Sequence, residues 1–371
     1  MRSIGSGRLA RTLAAACAAA ATAGLMALAG PAQAATRGPD SAGFDLSSVG
    51  WTGSSVIVAG ADSSSGDLYY WYQPQGTTTW HQQLVASGLD FDGTPQIDWT
   101  GSTVIMAVPA NGGIDYFYQY AGTRPWHEQH VAPGGSYYGN VTIGWTGRSV
   151  IIAANGDGTL DYWYEPAGTG TWNEQRVTTD IGGGGPSIGW TGSTVIIAAT
   201  DSVGDLDYYY QYAGTRPWHV QQVAAAGRHN YYGTSIGWTG STVVIASVDE
   251  SGDLDYFYQY AGTAPWREQQ VTANGVAYYD VPSIGWTGSS LILADMSVNG
   301  SLDYWWQASG TRPWHKQVVA SGIEDNEVDN PSIAPTSSSV VITAVNRAGD
   351  LDYWWQRYDT TPWHKQQVAA G

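Results

Sequence analysis

Residues 187–223 read SIGWTGSTVIIAATDSVGDLDYYYQYAGTRPWHVQQV, and the same pattern recurs along most of the chain. The stretch contains three motifs: Ser-Ile-Gly-Trp-Thr-Gly, an aromatic-rich Gly-x-Leu-Asp-Tyr segment, and Trp-x-x-Gln-x-Val. Successive copies of the third motif are 46 to 49 residues apart, a period that indicates an array of small structural units. It begins at seven tryptophans: Trp80, Trp126, Trp172, Trp218, Trp266, Trp314 and Trp363.

Each copy predicts four short β-strands. In the copy after the quoted one, Ser235–Trp238 is a brief extended segment, and Val243–Ala246 is a β-branched run typical of a strand buried on both faces. Leu254–Gln259 is rich in aromatics, and Trp266–Val271 alternates large and polar residues. Gly, Pro, Asn, Asp and Ser fill the intervening turns. No segment after the N-terminus has a helical period.

Seven such units predict an all-β, seven-bladed β-propeller of four-stranded antiparallel blades. A solenoid would need polar capping repeats, and the terminal copies here look like the others. The Val-Ile strand is expected to be the innermost strand of each blade. On that assumption Ser48–Trp51 becomes the outermost strand of the last blade, whose other three strands fall within Val340–Val368. This predicts a ring closed by three strands plus one.

The N-terminus resembles a secretion signal. It has a basic start that includes Arg11, an apolar run over residues 13–28, and the small-residue pattern Ala32-Gln33-Ala34. We therefore expect a secreted, extracellular protein, and no later segment resembles a membrane span. The predicted organisation is a signal peptide over 1–34, a short linker over 35–46 and the propeller over 47–371.

The composition limits the classes of partner. The formal net charge is −17, from 32 acidic and 15 basic residues, which argues against nucleic acid and anionic membranes. The chain has 19 Trp and 24 Tyr but only 4 Phe. Trp and Tyr suit half-buried strands that keep a polar tip near water, and they also form platforms for sugars. Composition alone does not separate these two uses.

The repeat resembles that of the seven-bladed propeller lectins typified by the Photorhabdus fucose-binding lectins. The likeness spans Phe44–Gly371 and rests on an order visible from Pro186 to Gly227. That order is Pro-Ser-Ile, a Val-Ile strand, an aromatic strand, then Trp and a closing Val. The resemblance implies carbohydrate binding at or between blades. The Trp-Thr-Gly turn and the doubled-Tyr loops depart from that family, so no individual residue is assigned from it.

Doubled tyrosines in loops are the first candidate for a ligand site. Aromatic pairs on loops have fewer structural roles than aromatics within strands, although they could still pack over a blade edge. We expect them to be exposed and to contact ligand. The pairs are Tyr137-Tyr138, Tyr231-Tyr232 and Tyr278-Tyr279.

The second candidate is an arginine–tryptophan pocket. In an antiparallel meander the Trp-Thr-Gly turns share one rim with the Gly-Thr-Arg-Pro-Trp loops, so these residue types should lie close together. Arg stacked on Trp is also a common structural contact, and regular Trp rows often pack between blades. The residues concerned are Arg124, Arg216, Arg312, Trp145 and Trp238.

No cofactor or metal ion is expected. The recurring Asp of Leu-Asp-Tyr has too many equivalent copies for a catalytic role and predicts a structural one. The recurring His after the motif Trp lacks a partner at metal-ligand spacing. Asn155–Asp161 resembles a calcium loop, but a hairpin with positive-φ turn residues is the favoured interpretation.

The favoured function is a secreted multivalent lectin that recognises glycans or glycoconjugates through repeated aromatic loop sites. The alternative is a protein-interaction scaffold or targeting subunit that binds another secreted protein and uses the irregular loop at 323–331. A glycan-active hydrolase or lyase is less favoured, because no paired carboxylates can be placed together. For a hydrolase or lyase, Glu250 and the acidic cluster at 324–329 would be the candidate residues. No catalytic residue is assigned.

Overall fold

The computed structural model describes residues 43–371 except 45, 121–124, 133–137, 213–216, 227–229, 261–264, 273–276, 279–280, 309–312, 324–329 and 359–361. The described residues form 28 β-strands in seven antiparallel sheets of four. Each sheet is one blade, so the predicted seven-bladed β-propeller is confirmed. Across these ranges there is no helix long and apolar enough to cross a membrane.

Every blade is built from four consecutive strands. The first strands are β1 (Leu46–Trp51), β5 (Gln96–Trp99), β9 (Tyr138–Trp145), β13 (Ser187–Trp190), β17 (Tyr231–Trp238), β21 (Ser283–Trp286) and β25 (Ser332–Pro335). The second strands are β2 (Ser55–Asp62), β6 (Thr103–Ala110), β10 (Ser149–Gly156), β14 (Thr194–Thr200), β18 (Thr242–Asp249), β22 (Ser290–Met296) and β26 (Ser339–Val345).

The outer half of each blade carries the other two motifs. The third strands are β3 (Asp67–Pro74), β7 (Gly113–Tyr120), β11 (Thr159–Pro166), β15 (Leu206–Tyr212), β19 (Leu254–Tyr260), β23 (Ser301–Ala308) and β27 (Leu351–Arg357). The fourth strands are β4 (His81–Ala86), β8 (His127–Ala132), β12 (Asn173–Thr178), β16 (His219–Ala224), β20 (Arg267–Gln270), β24 (His315–Ser321) and β28 (His364–Ala369).

The first strands are innermost, because those of successive blades contact one another around the ring. A cavity of 140 Å³ is lined by residues of all seven first strands. Serine hydroxyls link these strands: Ile236 N donates to Ser187 Oγ at 3.0 Å and Ile284 N to Ser235 Oγ at 3.1 Å. The same bond closes the ring, since Val49 N donates to the Oγ of Ser332 in the last blade at 3.0 Å.

The expected closure by three strands plus one is wrong. β1 pairs with β2 and completes the first blade, while β25 supplies the seventh blade with its own inner strand. The apolar Val-Ile run is the second strand of each blade, and it is buried because neighbouring blades cover both of its faces. A strand between two packed sheets gives the same sequence pattern as a strand at the ring axis.

Neighbouring blades are joined by an aromatic pair. The Trp of the third motif packs edge-on against the Tyr of Leu-Asp-Tyr in the preceding blade, with ring centroids 5.1–5.3 Å apart. Such pairs contribute about 0.5–1.5 kcal/mol each beyond the area they bury. The pairs are Trp80–Tyr353, Trp126–Tyr70, Trp172–Tyr116, Trp218–Tyr162, Trp266–Tyr208, Trp314–Tyr256 and Trp363–Tyr304.

Candidate functional site: a groove between the second and third blades

A glutamine pair bridges adjacent blades at six of the seven interfaces among the described residues. The Gln near the end of a third strand donates from Nε2 to the Oε1 of the Gln in the preceding blade's Trp-x-x-Gln motif, at 3.0–3.3 Å. The bonds run from Gln73 to Gln366, Gln119 to Gln83, Gln211 to Gln175, Gln259 to Gln221, Gln307 to Gln269 and Gln356 to Gln317.

Glu165 interrupts this series at the seventh interface. It stands in the third blade where the other blades have Gln, opposite Gln129 of the second blade. An ionised carboxylate has no hydrogen to donate to Gln129 Oε1. Glu165 Oε1 instead accepts from Gly170 N at 2.7 Å within its own blade, and Gln129 Oε1 accepts from Trp172 Nε1 at 2.9 Å. This interface therefore lacks the Gln–Gln bond but keeps the Trp–Gln bond, which is also present from Trp126 to Gln83 and from Trp363 to Gln317.

A groove of 540 Å³ lies at this interface. It opens on the rim that carries the Trp-Thr-Gly turns, since the second blade's turn at Thr100–Thr103 forms one side. The third blade contributes Trp145, Glu165 and the tight turn Ala167–Gly170. Pockets of about 300–1,000 Å³ are typical of small-molecule sites.

Aromatic rings form the second blade's wall of the groove. Tyr116 is buried and stacks on Tyr118 with centroids 5.5 Å apart. The Tyr118 ring also stacks on the His127 ring, with centroids 4.9 Å apart. The Tyr120 ring packs edge-on against the Tyr118 ring, with centroids 5.8 Å apart. Tyr120 is 52% exposed at the end of β7. These residues lie at alternate positions of β7, which places their side chains on one face of the sheet.

The carboxylate of Glu165 is held in a partly dry environment. Its side chain is buried, and this burial raises its pKa above the ordinary value, opposed by the hydrogen bond from Gly170 N. Burial also raises the pKa of the Tyr116 hydroxyl, with a contribution from the negative charge of Glu165. The groove thus combines aromatic faces with one buried hydrogen-bond acceptor.

Comparison by sequence finds no matching family model and no similar curated protein. Comparison by structure finds propellers. BP39L lectin from Burkholderia pseudomallei has a TM-score of 0.69 at 12% identity, over 88% of this chain and 100% of that one. SapL1 lectin, solved with alpha-methyl fucoside, has 0.51 at 11% identity, over 76% and 98%. The propeller domain of the Trilobed protease from Pyrococcus furiosus has 0.56 at 8%, over 88% and 98%. These likenesses show the β-propeller fold.

The expected exposure of the doubled tyrosines is wrong for three of them. Tyr138, Tyr231 and Tyr278 are buried. Tyr278 OH donates to Asp303 Oδ2 at 2.8 Å, and Tyr138 OH donates to Asp161 Oδ2 at 3.3 Å. In the Tyr231-Tyr232 pair both residues lie in β17, so adjacent side chains point to opposite faces; Tyr232 is 50% exposed. Tyr137 and Tyr279 lie outside the described residues.

The Arg–Trp candidates are placed only in part. Arg124, Arg216 and Arg312 lie outside the described residues. Trp145 lines the groove and packs against the hydrophobic cluster joining the second and third blades. Trp238 packs against the corresponding cluster between the fourth and fifth blades.

Reasoning from the sequence missed Glu165 and Tyr120 as site residues. Glu165 is the one departure from Gln at its position in the seven copies, so aligning the copies with each other would have marked it. The segment Asn155–Asp161, which resembles a calcium loop in sequence, contains a two-residue hairpin turn. In this turn Asp157 and Gly158 have φ of 50° and 76°. Asp161 there accepts from Thr159 Oγ1 and pairs with Arg176.

Proposed function

We propose that this protein is a secreted carbohydrate-binding protein, a lectin, whose principal site is the groove between the second and third blades. The observation that carries the proposal is Glu165. It removes the Gln–Gln bond at one interface and leaves a buried acceptor beside tyrosine and tryptophan rings. A sugar offers the matching chemistry, with an apolar C–H face for the rings and hydroxyl donors for the carboxylate.

Two of the similar structures support this proposal, because BP39L and SapL1 are lectins and SapL1 was solved with alpha-methyl fucoside. The signal-like N-terminus supports secretion. Multivalency is supported by two further blades that present a tyrosine like Tyr120 at the end of the third strand. Tyr212 and Tyr260 are 54% and 51% exposed, and Trp238 and Trp286 follow in the next blades at the position of Trp145. We propose these two interfaces as weaker sites.

The number of carboxyl groups in the groove favours glycan binding over glycan cleavage. Glycoside hydrolysis by the usual routes needs two carboxyl groups about 5–10 Å apart across the scissile bond. Glu165 is the only carboxylate among the described residues that line the groove. We therefore propose no catalytic activity for this site.

The proposal is tested by screening the protein without residues 1–34 against a glycan array and measuring the best ligand by calorimetry. Trp145→Ala should weaken binding at least tenfold, because a stacking face is lost. Glu165→Gln should also weaken it, since an amide can donate to Gln129 and re-form the bond found at the other six interfaces. The same change should raise the free energy of unfolding by about 1 kcal/mol.

The matched control is Trp190→Ala, which removes the equivalent tryptophan between the third and fourth blades. There the third strand ends in Pro166 instead of a tyrosine, so affinity should stay within twofold of the unmodified protein. Absence of any glycan ligand at high micromolar protein would overturn the proposed function. Equal losses in Trp145→Ala and Trp190→Ala would remove the assignment to this groove.

A further inference from the structure

A buried aspartate near the start of the third strand meets a basic side chain in four blades. In the third blade Asp161 pairs with Arg176, and in the sixth Asp303 Oδ2 lies 2.8 Å from Lys316 Nζ. In the seventh blade Asp352 Oδ2 lies 2.7 Å from Lys365 Nζ. The second blade places a histidine here, with His130 Nδ1 2.6 Å from Asp115 Oδ1. The fold thus provides a recurring cation position beside this aspartate.

The second blade differs from the others in the chemistry of that position. Arg and Lys side chains carry only hydrogen-bond donors at neutral pH, whereas an imidazole nitrogen has a lone pair that can bind a metal ion. Glu128 lies two residues before His130 on the same face of β8. One ligand atom from each of Asp115, Glu128 and His130 can be chosen so that all three lie within 4.8 Å of one another.

The donor set and its exposure fit a divalent transition-metal ion. Imidazole nitrogen and carboxylate oxygen are both zinc ligands, and a water molecule can complete four-coordination beside three protein ligands. The two carboxylates balance the charge of such an ion. Asp115 is buried and held in place by the strand pairing of β7 with β8, while Glu128 and His130 are exposed, so an ion can reach the site from solvent.

We propose that Asp115, Glu128 and His130 bind a divalent transition-metal ion, such as Zn²⁺, beside the aspartate that is contacted by Arg176, Lys316 or Lys365 in three other blades. In strand register Arg176 matches His130, whereas the two lysines match Glu128. On binding, any proton on the coordinating nitrogen of His130 is released to solvent. The third blade lacks the histidine that this metal site needs. Glu174 matches Glu128 in register there, but Arg176 replaces the histidine.

The metal site and the groove lie on opposite faces of the second blade. Asp115 is followed in β7 by the groove residue Tyr116, and Glu128 and His130 flank the groove residue Gln129 in β8, so the two sets of side chains point to opposite sides of the sheet. An ion at Asp115 would therefore not touch a ligand in the groove. The proposed metal binding is independent of the proposed carbohydrate binding and is tested separately.

The test is calorimetric titration of the EDTA-treated, dialysed protein without residues 1–34 with ZnCl₂ at neutral pH. Melting temperature with and without Zn²⁺ is the second measurement. The unmodified protein should bind one equivalent at this site with micromolar affinity and gain several degrees in melting temperature. His130→Arg, which copies the third blade, should keep the fold and weaken Zn²⁺ binding at this site at least tenfold. Glu128→Gln should weaken it by a smaller factor.

His364→Ala is the control, because it removes an exposed histidine of the seventh blade that stacks on Trp355 instead of contacting a carboxylate group. Its Zn²⁺ affinity should match that of the unmodified protein. The proposal is overturned if the unmodified protein binds no Zn²⁺ at 1 mM, or if His130→Arg binds it as tightly and with the same stoichiometry. Visible absorption of the Co²⁺-loaded protein, altered in His130→Arg but unchanged in His364→Ala, would identify His130 as a ligand.

Discussion

Asp255 of the fifth blade is a buried aspartate whose negative charge has no basic residue at the position that supplies one in the sixth and seventh blades. It is the counterpart of Asp303 and Asp352, but Glu268 stands where those blades have Lys316 and Lys365. Burial, followed by the nearby charge of Glu268, raises the pKa of Asp255 to about 7. The folded protein therefore holds a proton on this carboxyl group that the unfolded chain loses at much lower pH. Because Asp255 loses this proton less readily in the folded state, its contribution to the free energy of unfolding falls as the pH rises.

We expect Glu268→Lys to stabilise the protein at pH 8 by on the order of 1 kcal/mol, since it supplies the missing ammonium group. In the unmodified protein the contribution of Asp255 falls between the unfolded pKa near 4 and the folded pKa near 7, and is constant above that range. The gain should therefore shrink as the pH is lowered towards 4. Denaturant unfolding across this pH range measures it.

Glu174→Lys is the matched control, because Arg176 already pairs with Asp161 in the third blade. It should change the stability by much less at pH 8. Equal effects of the two substitutions would show that the gain comes from the overall acidity of the protein and not from Asp255.

At the scale of strands and turns, the sequence predicts more than it does for the site. The number, order and type of strands follow from local composition, and the Asp157-Gly158 turn follows from the need for two positive φ angles. The position of the Val-Ile strand within the blade could not be predicted from its sequence. A strand beside the ring axis and a strand between two neighbouring blades are both buried on two faces and have the same apolar pattern. Glu165 is visible as a departure, but its effect depends on Gln129 in another repeat.

The hairpin between β10 and β11 gives a prediction at this scale. Gly158 has φ of 76°, so Gly158→Ala should lower the free energy of unfolding by about 1 kcal/mol. Gly183→Ala is the control, since that glycine lies in a loop with no atom within 4 Å of an added Cβ and no positive φ. Thermal unfolding of both variants checks the difference, and similar melting temperatures would contradict it.

For the whole molecule, the seam between the last and first blades is built like the other interfaces. Val49 N donates to Ser332 Oγ, Gln73 bonds to Gln366, and Trp80 packs on Tyr353. The two ends of the described chain meet at one place. Gly43 and Gly371 both lie close enough to Gly349 that an added Cβ would clash with its backbone. Among the described residues no strand pairs across the seam, and side chains together with these terminal contacts join the two blades.

We therefore expect a circular permutant to fold. A short glycine linker would join residue 371 to residue 43, and new ends would be placed at Gly183, in the exposed loop before the fourth blade. Its melting temperature should lie within about 5 °C of the original, because no sheet is cut and each blade keeps its four strands. Circular dichroism during heating is the measurement. An unfolded permutant would show that the contacts between the third and fourth blades, unlike those at the original seam, cannot keep the ring closed without a chain connection.

Because each blade is one uninterrupted segment of chain, a single tandem duplication of about 46 codons would add a complete blade. Since every blade supplies its own four strands, an altered blade such as the third leaves the sheets of the other six complete. The seven unequal copies are the form that such a history would leave.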